Sequence, residues 1–289
     1  MFFKILFLAL LLSGCATHTE NLRAKFPNAS ASQIIDVPFY NQAEFHCAPA
    51  ALKMMTGYLN QEIAYDELVK MLYAPEAKGT FQNDLLAATR RLSLLALPVD
   101  NMEEIIKELQ DKRPVLVFQN LALSWIPKWH YAVVVGYDLD KKEVILHTGD
   151  YKNFPMSMRT FEKTWKRVDQ WGYIIVKPGE VPLNTTEEEM VAATAGLELA
   201  MNYSAAKISY EAILNRWSES FGAIIGLGNV HFQMKEYIKS KDYFHKATIL
   251  RPTSIGVWNN YAVALKAAGD DKGADKAKLK IKELSATQH

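Results

Sequence analysis

The run Cys47-Ala48-Pro49-Ala50-Ala51-Leu52-Lys53-Met54-Met55 reads as a helix with a thiol at its first position. Alanine, leucine, methionine and lysine are strong helix formers. A proline near the first turn gives up only an amide that has no intrahelical partner there. Cys47 therefore stands where unpaired amides and the positive end of the helix dipole favour thiolate over thiol, which predicts a lowered pKa and a reactive sulfur. A working thiolate also needs a base or ion-pair partner. Outward along the chain the best candidate is His130, in Trp129-His130-Tyr131-Ala132-Val133-Val134-Val135-Gly136-Tyr137-Asp138, a β-rich run that ends in a turn. Period-two alternation puts His130, Ala132, Val134 and Gly136 on one face, with Tyr131, Val133, Val135 and Tyr137 on the other. Taken alone, His130 reads as an ordinary hydrogen-bonded histidine or as one looking into a cleft. Its pairing with Cys47 is what points to chemistry.

The chain has 289 residues and only two cysteines. The other one, Cys15, closes Leu12-Ser13-Gly14-Cys15 after a short apolar run from Ile5 to Leu12, too short to span a bilayer and shaped like a secretory h-region. This segment resembles a bacterial lipobox. The resemblance implies that residues 1–14 are a signal peptide, that Cys15 carries lipid and that the mature protein is held at a membrane by acyl chains. Ala16 after the cysteine is compatible with an outer membrane location facing the periplasm. Residues 15–32 are polar, rich in small residues and contain Pro27, which predicts a flexible tether reaching on the order of 20 to 25 Å. With Cys15 lipidated, Cys47 has no disulfide partner, so it is a small buried hydrophobe or a working thiol.

The residues Val37-Pro38-Phe39-Tyr40-Asn41-Gln42, then Cys47-Ala48-Pro49-Ala50-Ala51-Leu52, then His130-Tyr131-Ala132-Val133-Val134-Val135-Gly136-Tyr137 together resemble the C39 peptidase family. These are papain-like cysteine peptidases best known for cutting leader peptides after double glycine. The resemblance spans nearly the whole segment 33–181. It implies Cys47 as nucleophile, His130 as its proton carrier, and Gln42 as a side-chain donor to the oxyanion beside the Cys47 amide, a contact worth roughly 3 to 4 kcal/mol of transition-state stabilisation. The family's usual Cys-Gly-Pro is Cys47-Ala48-Pro49 here. Its third triad member, commonly Asp, falls at about Thr148 in Glu143-Val144-Ile145-Leu146-His147-Thr148-Gly149-Asp150. Asp150 is the candidate acid, on the condition that the strand continues past Gly149. Asp138 and Asp140 belong to a hairpin turn. His46 cannot easily swing onto the sulfur of its neighbour, while His147 could approach the cleft.

After Lys177-Pro178-Gly179-Glu180-Val181-Pro182 the composition turns to helix formers, and residues 184–289 repeat with a period of 34. Ala206, Ser240 and Ala274 fall in register, as do Tyr210, Phe244 and Lys278, and Thr194, Gly228 and Ala262. The pattern resembles about three tetratricopeptide repeats, which implies a helical solenoid able to dock a protein or peptide. A role as a prop for the first domain is the alternative.

The fold class expected is α+β: a papain-like peptidase domain followed by an all-α repeat solenoid. Net charge is +1, from 33 basic and 32 acidic residues, so no field would gather nucleic acid. Neither a cofactor nor a metal is expected, since histidines and acids are not clustered at ligand spacing. The function read from these residues is a membrane-anchored cysteine peptidase acting on a peptide or protein substrate, with the repeats recruiting a protein. Two other readings remain: a peptide-binding scaffold with a degenerate cleft, and a cell-wall amidase of the NlpC/P60 kind, which shares the Cys-then-His order but not the sequence around the cysteine.

Overall fold

In the computed structural model, which describes residues 18–34 and 36–287, the chain divides into two compact units. One comprises the residues up to Leu85 together with Pro98–Ile174; the other comprises Leu86–Leu97 and the residues from Ile175 onward. The expected signal segment 1–14 and the expected lipid site Cys15 lie outside the described residues.

Up to Val176 the elements are α1 (His18–Lys25), β1 (Ala31–Gln33), α2 (Cys47–Tyr58), α3 (Tyr65–Leu72), a 3₁₀ turn (Pro75–Ala77), α4 (Gln82–Arg91), β2 (Leu95–Pro98), α5 (Met102–Gln110), β3 (Val115–Asn120), β4 (Trp129–Asp138), β5 (Glu143–Thr148), β6 (Tyr151–Ser157), α6 (Met158–Lys166) and β7 (Gly172–Val176). The strands form one sheet in the order β2-β7-β3-β4-β5-β6, with β1 also on β4. Sheet plus flanking helices give the α+β class that the sequence predicts.

β4 is the longest strand, and it is paired on both edges. β3 covers its first half, from Asn120 opposite Trp129 to Val115 opposite Val134. β1 continues along that edge, with Gln33 opposite Gly136 and Ala31 opposite Asp138. β5 covers the other edge, with a register shift between Val134 and Gly136. Gly136 makes the approach of β1 possible: a Cβ there would lie 2.7 Å from the Ser32 carbonyl oxygen and 3.1 Å from Gln33 Cα, both backbone atoms that cannot yield. Every β4 residue from His130 to Tyr137 is buried, so the strand is covered on both faces as well.

The tether expected over residues 15–32 is ordered wherever it is described. α1 buries Leu22, and Arg23 pairs with Asp140 at 3.4 Å while donating to the carbonyl of Ala29 at 3.0 Å. The physical reason lies in β4. Its second half would otherwise show an unpaired edge, and β1 fills it.

Beyond Val176 the described residues form six helices: α7 (Glu187–Leu199), α8 (Tyr203–Arg216), α9 (Phe221–Gln233), α10 (Tyr237–Leu250), α11 (Ile255–Ala267) and α12 (Asp271–Ala286). α7, α9 and α11 start 34 residues apart, as do α8, α10 and α12. The small residues that share a register in the sequence are the buried ones, among them Thr194, Ala206, Ser240, Ala262 and Ala274. They let the helices approach. Ser240 Oγ donates to the Gly228 carbonyl at 2.8 Å, and the Phe244 ring lies so close over Gly228 that a Cβ there would meet it at 2.6 Å. Residues 86–97, which the sequence assigns to the first domain, pack in this unit: the Asn202 side chain donates to the Arg90 carbonyl, and the Arg90 guanidinium lies against Gly196.

Gly228→Ala places a methyl into a rigid ring, and overpacking of this kind costs about 1 to 3 kcal/mol. Gly256, also helical, has nothing within 4 Å of a Cβ, so Gly256→Ala should be neutral or slightly stabilising through helix propensity. Thermal unfolding followed by helical circular dichroism compares the two. Equal melting temperatures would reject the ring-over-glycine contact as a source of stability.

Candidate active site

α2 begins at Cys47 with no side-chain cap from His46, and Pro49 is its third residue. Phe45, two residues ahead, has φ 64°, a left-handed turn that delivers the chain abruptly into the helix. The Cys47 thiol is thus set at the helix N-terminus, as the sequence predicts, and half-buried. Gln42, Cys47 and His130 line one cleft of about 890 Å³.

His130 is 7 % exposed. Its Nε2 lies 2.7 Å from Thr148 Oγ1, at the end of β5. That contact occupies one ring nitrogen and leaves Nδ1 as the other position that can accept a proton. Asp150 does not take this place. Gly149, at φ 56°, reverses the chain directly after Thr148, and Asp150 falls in the exposed turn between β5 and β6. The strand does not continue far enough for same-face alternation to bring the carboxylate back. The group on the imidazole is therefore a neutral hydroxyl.

The electrostatics depart from the thiolate that the sequence predicts. Burial pushes the Cys47 thiol up, while the backbone amides of Tyr131, Ala48 and Cys47 pull it down without overcoming burial. Burial also pulls the His130 imidazole down to about 4, with the Lys128 ammonium adding to the effect. Both shifts favour the neutral form of the group. The helix amides act in the expected direction, but desolvation opposes charge on either partner and is the larger effect.

Neither of the other nearby histidines serves the cleft. His147 is buried on the far side of its strand: Asn153 N–H donates to its Nδ1 at 3.2 Å, its Nε2–H donates to the Val37 carbonyl at 3.2 Å, and its ring meets Phe39 edge-on. It pins the Val37–Phe39 segment and does not approach the thiol as the sequence allowed. His46 packs edge-on against Tyr73 at 4.9 Å. Asp138 holds the β4–β5 turn as expected, accepting from the amides of Asp140 and Lys141.

Sequence reasoning passed over the cleft's wall. Phe118 stacks on Trp129 with centroids 5.6 Å apart and packs against Tyr131 at 4.5 Å, while the Tyr131 hydroxyl donates to the Thr80 carbonyl at 3.3 Å. Phe81 and Trp129 remain more than half exposed beside the cleft. The signal was present, since two aromatic residues flank His130 in the chain. Among the described residues no group of three His, Cys, Asp or Glu could hold a metal ion, and no helix is long and apolar enough to cross a membrane.

Residues 34–172 match the model of the Peptidase_C39 like family, so the first part of the chain carries a C39-like peptidase domain. Solved structures with some likeness include a C39-like peptidase from Bacillus anthracis (17% identity, TM-score 0.44, covering 51% of this chain and 98% of that one). Another is a double glycine motif protease from an AMS/PCAT transporter in complex with the leader peptide (16%, 0.39, 50% and 94%). A third is the MamA RS-1 ArsTM double mutant (20%, 0.35, 45% and 65%). No curated protein matches the chain.

The His130 shift makes stability depend on pH with a definite sign. Its folded pKa of about 4 lies below the unfolded value of about 6.5, so the unfolded state binds the extra proton between those values. Stability from this group is complete above about pH 6.5 and is lost as pH falls toward 4, by about 3 kcal/mol in all. Melting temperatures of wild type and His130→Gln from pH 7 to 4 should converge on acidification, and parallel curves would contradict the neutral buried imidazole.

Proposed function

We propose that the C39-like domain is a cysteine peptidase whose nucleophile is Cys47. The observation that carries this reading is one cleft lined together by Gln42, Cys47 and His130, with His130 held through Nε2 by Thr148. Cys47 Sγ attacks the peptide carbonyl carbon while His130 Nδ1 takes the thiol proton. The developing oxyanion accepts from the Cys47 amide and from the Gln42 side chain. Collapse of the tetrahedral adduct breaks the C–N bond, the leaving amine takes the proton from His130, and a thioester remains on Cys47. Water, deprotonated by His130, then releases the acid and restores the thiol. Because burial favours the neutral form of both groups, proton transfer accompanies attack and no preformed thiolate carries it.

A second reading has a specific observation in its favour. Burial opposes charge on both Cys47 and His130, and the third position is a hydroxyl; both features suit a cleft that holds a peptide without cutting it. In either case α7–α12 serve as tetratricopeptide-like repeats that recruit a protein. Their 34-residue spacing supports this, as does a groove lined by Glu198, Asn229, Phe232 and Asn260. Lipid on Cys15 would hold the chain at the envelope membrane, facing the periplasm.

Labelling of the purified protein with an electrophilic, peptide-bearing thiol probe separates the two readings. The peptidase requires that Cys47 be labelled, that His130→Ala abolish labelling, and that Gln42→Ala cut turnover on the order of a hundredfold while sparing plain alkylation. Thr148→Val should reduce turnover less than His130→Ala does. The raised thiol predicts that alkylation by iodoacetamide climbs only on the alkaline side of the ordinary cysteine range. Labelling that ignores His130 would leave the scaffold as the account. For the anchor, Cys15→Ser should release the protein from membranes; a mutant that stays bound at unchanged mass would reject lipidation.

A further inference from the structure

Gln119 on β3 is the register partner of His130 on β4. Residues directly opposite in an antiparallel pair project from the same face with Cβ atoms about 5 Å apart, so the Gln119 amide and the imidazole share one side of the sheet. Gln119 is fully buried. Its Nε2 donates to Thr164 Oγ1 at 2.7 Å, and the Thr164 hydroxyl directs its single proton to the carbonyl of Phe161 at 2.8 Å or of Thr160 at 3.1 Å. Thr164 must therefore accept from Gln119, which fixes the amide with nitrogen toward α6 and oxygen free. That oxygen, Oε1, is buried without a hydrogen-bond partner.

A buried acceptor left unpaired is uncommon and calls for a cause. Here it belongs to the residue paired with His130 in the strand register, on the same face of the sheet as the ring that has to become cationic when it takes the thiol proton. The ring's own partner, Thr148 Oγ1, is neutral. The charged groups nearby do not help: Lys128, just before β4, disfavours the cation, Arg167 after α6 is turned to the Asn120 carbonyl, Asp150 is in the exposed turn, and Glu44 and Asp169 stand on the open cleft wall.

We infer that Gln119 is a positioning residue for His130, its carbonyl oxygen supplying the fixed negative end of a dipole on the side of the imidazole where no carboxylate is present. No bond forms or breaks at Gln119. The side chain acts only on the charge that His130 carries between accepting the proton from Cys47 and giving it to the leaving amine. This rests on the peptidase reading, but its test does not depend on turnover.

The experiment is an NMR titration of the His130 ring nitrogens in the full protein for wild type, Gln119→Met and Gln119→Glu. Gln119→Met keeps the volume and removes the dipole, and should lower the His130 pKa. Gln119→Glu places a carboxylate on the same stem and should raise it by about one unit, a tenfold gain in proton affinity. Should Gln119→Met fail to fold, Gln119→Glu alone decides. A His130 titration identical to wild type in the folded variants would overturn the inference and leave Gln119 as core filling. An active enzyme with that result would reject Gln119 alone. An inactive protein in which His130 still follows the residue at 119 would reject the peptidase reading and keep the positioning role.

Discussion

The pairing of β4 on both of its edges is the constraint from which the site inherits its geometry. β3 and β1 share one edge and β5 holds the other, so His130 at the start of β4 cannot shift by a residue without turning its whole face over. The same register sets Thr148 at 2.7 Å from the ring and Gln119 opposite it. Gly136 is the point where this closes, because only a residue without Cβ lets the Ser32 backbone come so near. A sequence change there, far along the strand from His130, would loosen the strand that carries it.

At Cys47 two effects of known size compete. Helix-terminal amides and the dipole are worth typically 0.3 to 1 kcal/mol, and about 2 in favourable buried settings, while desolvation costs about 1.36 kcal/mol for every pKa unit by which it moves a group. Burial wins at Cys47 and again at His130. Burial therefore favours the neutral form of both groups, and in the proposed reaction the proton would move as the sulfur attacks. What a substrate does to solvation in the cleft, and what fixed dipoles face the imidazole, then matter more than they would for a preformed ion pair.

The helical unit solves a different packing problem. Its stability comes from ring-against-glycine and hydroxyl-against-backbone contacts between successive helices, as in Phe244 over Gly228 and Ser240 to the Gly228 carbonyl. Each contact joins neighbours in the chain, which is why the same small positions recur at a fixed interval.

Local chemistry was open to reading from the sequence wherever adjacent residues decide it. The helix start at Cys47, the β-rich run from Trp129, the turn at Asp138 and the 34-residue interval all follow from propensity and period, and together they give the fold class and the C39 resemblance. Four things waited for the tertiary structure. Whether residues 18–32, the described part of the expected tether, are a tether depended on an unfilled edge of β4, which no local property of that polar segment reveals. The choice of Thr148 over Asp150 turned on a left-handed Gly149 that ends β5 one pair early. The sign of the Cys47 shift depended on how many atoms surround the sulfur, and burial is a sum over distant parts of the chain. The partnership of Gln119 with His130 exists only through strand register, because residues eleven positions apart in the chain become neighbours only when β3 and β4 pair.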